Sequence, residues 1–65
     1  MATFQVRIDT DNAAFEDGAG TELARILREL AEDLDDSGVV AFAKAQTLRD
    51  VNGNDVGRAK WLAAE

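Results

Sequence analysis

Gln46-Thr47-Leu48-Arg49-Asp50-Val51-Asn52-Gly53-Asn54-Asp55-Val56-Gly57-Arg58-Ala59-Lys60-Trp61-Leu62 is the stretch whose reading decides the fold. Two segments, Gln46–Val51 and Asp55–Leu62, flank Asn52-Gly53-Asn54, and Asn-Gly between apolar runs is the strongest short-range hairpin signal. Leu48, Val51, Val56, Ala59 and Trp61 cannot all share one face under strict alternation. The spacing therefore predicts a bulge near Gly57.

Working outward from the hairpin, Ala2–Thr10 alternates cleanly. Phe4, Val6 and Ile8 fall on one face, and Thr3, Gln5, Arg7 and Asp9 on the other, which predicts a third strand with one buried face. Asp9-Thr10-Asp11-Asn12 supplies turn and capping chemistry for a short helical turn through Ala13–Asp17, anchored by Phe15 and broken by Gly18-Ala19-Gly20. Thr21 is expected to cap the main helix, placed at about Glu22–Asp36. Leu23, Ile26, Leu27, Leu30 and Leu34 form a single apolar stripe on it, and Gly38 stops it. Val39–Gln46 suits either a strand or a helical turn. The expected fold is a single α+β domain in the order β-α-β-β: a three-stranded antiparallel sheet packed on one long amphipathic helix, with a short extra helical turn before it.

A chain of 65 residues buries only about 60% of its unfolded surface. Without cysteine or histidine it lacks disulfides and the usual structural zinc sites. Its 46% hydrophobic content is that of a folded protein rather than a disordered acidic tail. Thirteen acidic residues against seven basic ones leave a net charge of −6, which favours solubility and repels nucleic acid and anionic lipid. Met-Ala-Thr-Phe-Gln-Val-Arg shows no basic run leading into an apolar one, so no secretion signal is predicted. Val39–Ala43 is far too short to span a membrane. The expectation is a cytoplasmic monomer without a membrane role.

The charge is oddly placed. Glu29-Leu30-Ala31-Glu32-Asp33-Leu34-Asp35-Asp36 puts five carboxylates at the C-terminal end of the predicted helix. Each acid there opposes the negative pole of the macrodipole, at roughly 0.3–1 kcal/mol. Glu29/Asp33 and Glu32/Asp36 are also like-charge i,i+4 pairs costing roughly 0.2–0.5 kcal/mol each. Around the helix, Glu22, Glu29, Glu32, Asp33 and Asp36 occupy one flank and the back, with Asp35 and Arg28 opposite. Arg25 is placed to pair with Glu29, and Arg28 with Glu32, while Asp33, Asp35 and Asp36 have no local cation. Carboxylates spaced by about 5–6 Å on a helix offer a basic groove a field comparable to the phosphates of duplex DNA. An acidic helical face is more often a solvated surface that keeps a small protein soluble. The misplaced charge is what points beyond that.

Enzymatic chemistry finds little support. There is no histidine or cysteine, Ser37 is the only serine, and Gly18-Ala19-Gly20 lacks the lysine of a phosphate loop. Asp50-x-Asn52-x-Asn54 opens like a calcium loop, but its sixth position is Asp55 and its twelfth is Trp61. Asp9 and Asp11 could act as a carboxylate pair only inside a deep cleft. Trp61, beside Arg58 and Lys60, is read as a core or rim residue rather than a nucleic-acid platform. Neither a cofactor nor a metal is expected.

Asp9-Thr10-Asp11-Asn12-Ala13-Ala14-Phe15, Glu22-Leu23-Ala24-Arg25-Ile26-Leu27-Arg28-Glu29-Leu30 and Leu48-Arg49-Asp50-Val51-Asn52-Gly53-Asn54 together resemble a group of short, acidic phage and prophage proteins. Within that class the chain resembles anti-CRISPR proteins directed against type I-C surveillance complexes. The resemblance implies a stoichiometric inhibitor acting in the cytoplasm of the bacterial host. Its implied partner is the large Cas subunit that recognises the protospacer-adjacent motif, so that target DNA cannot dock. Glu29, Glu32, Asp33, Asp35 and Asp36 are the candidate contact residues, extended by Glu16 and Asp17. The alternative is a small phage adaptor that binds a protein through an apolar sheet edge or the 39–45 segment. A three-stranded sheet also leaves edges that can pair into a homodimer.

Overall fold

The computed structural model describes residues 2–63. Strand β1 spans Thr3–Ile8, helix α1 Ala19–Ser37, strand β2 Gln46–Arg49 and strand β3 Asp55–Leu62, with 3-10 turns at Ala13–Phe15 and Val39–Phe42. The strands form one antiparallel sheet in the order β1-β3-β2. The expected α+β architecture is present, with the last strand of the chain at its centre.

Pairing between β1 and β3 runs without interruption from Thr3 opposite Leu62 to Ile8 opposite Gly57. Between β2 and β3 the register steps from Leu48 opposite Gly57 to Arg49 opposite Asp55. Val56 is therefore the extra residue of a bulge, next to Gly57, where the hydrophobic spacing requires it. This keeps Val56 and Ala59 both buried. Gly57 has a separate reason to be glycine. A Cβ there would overlap the Arg7 carbonyl oxygen and lie 3.0 Å from the Ile8 Cα, so β1 closes on β3 only because the side chain is missing.

Three local expectations need correction. β2 ends at Arg49 rather than Val51, because the Asp50 carboxylate draws Asp50–Asn54 into a turn of its own. In that turn the Gly53 amide donates to the Asp50 carbonyl at 3.0 Å, the Asp50 amide donates to the Asn54 carbonyl at 3.0 Å, and Gly53 sits at φ 84°. Second, α1 begins at Ala19, and Thr21 is not its cap. Gly18, at φ 86°, takes that position without a side-chain cap, and its carbonyl accepts the Thr21 and Glu22 amides at 3.0 and 3.2 Å. Third, Arg28 forms no ion pair with Glu32 among the described residues.

The remaining boundaries follow the sequence. Asn12 caps the first 3-10 turn, its Oδ1 accepting the Ala14 amide at 2.9 Å, and Asp9 Oδ1 accepts the Asp11 amide at 3.0 Å. Gly38 ends α1, donating to the Leu34 carbonyl at 2.8 Å. The ambiguous 39–46 stretch resolves into a 3-10 turn that buries Phe42 and a loop into β2. Phe15, Ile26, Leu30, Phe42, Leu48, Val56 and Ala59 form the core, with Phe4, Ile8, Leu23, Leu34 and Trp61 packed against it. The Phe4 and Phe42 rings meet edge to face at 5.6 Å. Among the described strands α1 leans chiefly on β2, and it also rests on both 3-10 turns.

Gly57→Ala should destabilise the domain by about 1–3 kcal/mol or more, the range for forced overpacking. Gly20→Ala, within α1 and with open space around its Cβ position, should instead stabilise by up to about 1 kcal/mol. Urea midpoints of the two variants check both signs.

Candidate acidic interface

The first turns of α1 and its last turns use their charges differently. Glu22 is buried. Arg25 Nε donates to its Oε1 at 2.6 Å and Nη2 to its Oε2 at 3.1 Å, while the Val51 amide donates to Oε2 at 2.8 Å. Arg25 also reaches the Arg49 carbonyl at 3.3 Å and Glu29 at 2.8 Å. Beside this cluster the buried Asp50 carboxylate accepts the Asn52 and Asn54 amides, each at 2.9 Å, and the side-chain amides of Asn54 at 3.2 Å and Asn12 at 2.8 Å. Asp50 is therefore saturated by its own turn together with Asn12, which accounts for the calcium-like spacing. Among the described residues no group of carboxylates could hold a metal ion.

These contacts set the acidity of the cluster. The Arg25 hydrogen bond holds Glu22 below the usual carboxylate range against the opposing effect of burial, and the Val51 amide adds to it. Burial pushes Asp50 up, but the donors from Asn54, Asn12 and Asn52 outweigh it and leave the group below its ordinary value. On β3, the Arg58 guanidinium lowers Asp55, to which it donates at 2.7 Å.

Glu22 thus leaves the predicted acidic flank for the interior, and Glu29 is paired with Arg25. Glu32, Asp33, Asp35 and Asp36 are all exposed and make no ion pair among the described residues. At 100° per residue they fan over about 160° of α1, from Asp35 through Glu32 and Asp36 to Asp33 at the border of the packed face. No basic residue stands in the last turn, so the field of these carboxylates adds to the negative helix pole. Glu16 and Asp17 are exposed too, but they precede α1. At 1.5 Å per residue the start of α1 at Ala19 is already about 24 Å from Asp35 along the axis, so the last-turn carboxylates stand well away from the end of the helix that Glu16 and Asp17 lead into.

Burial of Glu22 was missed because helical periodicity ranks residues by side-chain polarity. The available signals were its place beside the apolar stripe and a basic residue at i+3. Asp9 and Asp11 line an open groove of about 450 Å³ with Arg7, Val56 and Arg58, not a deep cleft. No helix among the described residues is long and apolar enough to cross a membrane. No protein-family model matches the chain, and comparison with curated proteins and with solved structures finds no match.

The lowered values of Glu22, Asp50 and Asp55 carry a pH consequence. A carboxylate more acidic in the folded state stabilises it fully above the unfolded value, near pH 4. That contribution is lost as pH falls through the folded value. The melting temperature should therefore drop on acidification from about pH 5 to about pH 2. Asp50→Asn, which replaces an acceptor by a donor facing donors, should melt lower at neutral pH and show a shallower acid dependence. Circular-dichroism melts across that range measure both.

Proposed function

We propose that the chain is a non-enzymatic, stoichiometric inhibitor that presents the end of α1 to the basic DNA-binding groove of another protein. The observation supporting this reading is the set of four exposed carboxylates, Glu32, Asp33, Asp35 and Asp36, with no ion pair among the described residues, on a helix end that penalises them. A helix stabilised for its own sake would carry lysines there, and local rules broken without local compensation are expected at functional sites. The sequence resemblance supplies the finer proposal. The partner is a type I-C Cas complex in the host cytoplasm, engaged at the large subunit's site for the protospacer-adjacent motif, where arginines and lysines read duplex DNA. Glu29 contributes from the edge of the patch, already shared with Arg25.

The combined variant Glu32→Lys, Asp33→Lys and Asp36→Lys separates function from stability. Cations at the helix C-terminus should stabilise it by about 0.3–1 kcal/mol each at low salt. The variant should therefore unfold later than the parent and yet bind a type I-C surveillance complex at least about tenfold more weakly, a loss of about 1.4 kcal/mol. Parent binding should weaken with salt and compete with duplex DNA. Undiminished inhibition by this better-folded variant would refute the charge assignment.

One observation favours a second reading, that of an apolar adaptor. Val40, in the second 3-10 turn, is 70% exposed. An adaptor docking there should lose its partner on Val40→Asp and be indifferent to salt. Phe42 cannot serve as a probe of that surface, because it is a core residue and Phe42→Asp would report unfolding.

A further inference from the structure

We propose that β1 is the seam of a two-fold homodimer, formed by antiparallel pairing of β1 with β1 of a second copy and centred on Val6. This inference is independent of the functional reading above.

The phase of the ladder identifies which backbone groups are free. Asp9 donates its amide to the Val56 carbonyl at 2.7 Å, and Ile8 stands opposite Gly57. In an antiparallel pair that combination makes Ile8–Gly57 a non-hydrogen-bonded pair and Arg7–Arg58 a hydrogen-bonded one. Thr3, Gln5 and Arg7 therefore spend their amides and carbonyls on β3. Those of Phe4, Val6 and Ile8 point away from the sheet, where β1 has no neighbouring strand among the described residues.

Edges of natural sheets are normally blunted by shortness, bulges, lysine, proline or cover. β2 is blunted: it has four residues, lies at the bulge and gives its Arg49 carbonyl to Arg25. β1 has six residues, Thr-Phe-Gln-Val-Arg-Ile, in an unbroken register, with Arg7 as its single charge. Its inward face is also incompletely covered. Val6 shares that face with Phe4 and Ile8, yet 39% of it is exposed. Leu27, on the helical flank opposite the one that Glu22 and Arg25 fasten to β2 and its turn, is 46% exposed.

The strand is complementary to itself. Centred on Val6, antiparallel pairing sets Val6 against Val6, Phe4 against Ile8 and Gln5 against Arg7. Every outward amide and carbonyl of Phe4, Val6 and Ile8 then finds a partner, the core face meets only apolar residues, and no like charges oppose each other. Centring on Arg7 would set two arginines face to face, and centring on Gln5 would carry the Ile8 groups past the end of the partner strand. A second copy is the occupant that fits.

Each chain carries −6, so added salt should strengthen this dimer by screening while it weakens electrostatic binding at the acidic helix end. Sedimentation of the unmodified chain from about 1 μM to about 1 mM should show the mass rising from 7.0 kDa towards twice that value, at lower concentration in high salt. Over the same range the Phe4, Val6 and Ile8 amides should become protected from hydrogen exchange, while those of Gln5 and Arg7 are protected throughout. Val6→Pro removes an outward amide and no bond to β3, and should give a folded monomer. A 7.0 kDa mass at every concentration with freely exchanging Phe4, Val6 and Ile8 amides overturns the proposal. So does a dimer that leaves those amides unprotected. If Val6→Pro fails to fold, exchange in the unmodified chain decides between these outcomes.

Discussion

The Val51 amide meets the buried Glu22 carboxylate at 2.8 Å, and Arg25 holds both oxygens of that carboxylate while touching the Arg49 carbonyl. Asp50, one residue away in the turn, gathers donors from its own turn and from Asn12. Three distant parts of the chain are thereby fastened together: the loop after β1, the start of α1 and the β2–β3 turn. The fastening matters because apolar burial is thin. Among the described residues the core has seven buried members and no large side chain is completely buried, and the sequence has no cysteine with which to reinforce it. A partly buried charged pair is weak evidence of net stabilisation, since desolvation offsets much of the attraction. Its contribution is specific. Loss of Arg25 strands the buried Glu22 carboxylate, so the helix has one favourable rotation. That rotation draws the Glu22 flank inward and turns Leu27 outward.

What was legible in the sequence was what local rules govern. The alternation of Phe4, Val6 and Ile8 marked β1, the Asn12 side chain marked a cap, and the leucine stripe with Gly38 marked most of α1. The bulge at Val56 was legible because the apolar spacing of the hairpin broke its period. Other features depend on partners far away in sequence. β2 is shortened by a carboxylate that prefers its own turn to the ladder. Gly18 starts the helix in a left-handed conformation that no threonine rule anticipates. For the candidate site, the Arg25–Glu29 pair was a matter of i,i+4 spacing, whereas the burial of Glu22 required knowing where Val51 would land. The separation of Glu16 and Asp17 from the other carboxylates is axial, a direction that a helical projection does not display.

The same asymmetry explains how α1 tolerates its acidic end. Its first half carries the ion pairs, the buried Ile26 and the grip on the hairpin turn, while its last two turns bury only Leu30 and half-bury Leu34. Repulsion among Glu32, Asp33, Asp35 and Asp36 falls on the part of the helix that does least to hold the domain together. Gly38 still ties off the end through the Leu34 carbonyl. Stability concentrated at one end of an element leaves the other free to carry charges that local rules disfavour.

Charge segregation extends this to the whole molecule. On the outer face of the sheet, Gln5 stands opposite Lys60, and Arg7 opposite Arg58, with Thr47 on the other side of Arg58. Arg49 is exposed nearby. Like charges directly opposed across strands are unfavourable, and Asp55 relieves only one member of the Arg7–Arg58 pair. Four of the seven basic residues thus lie on the sheet, while the unpaired carboxylates of the proposed contact surface lie on the last turns of α1. A net charge alone would attract this chain to a basic groove in any orientation. A basic sheet face makes the wrong orientation repulsive, and orientational selection of this kind raises the fraction of productive encounters. For the proposed inhibitor, the cations on the sheet are therefore part of how the acidic helix end is aimed, although none of them lies within the acidic patch.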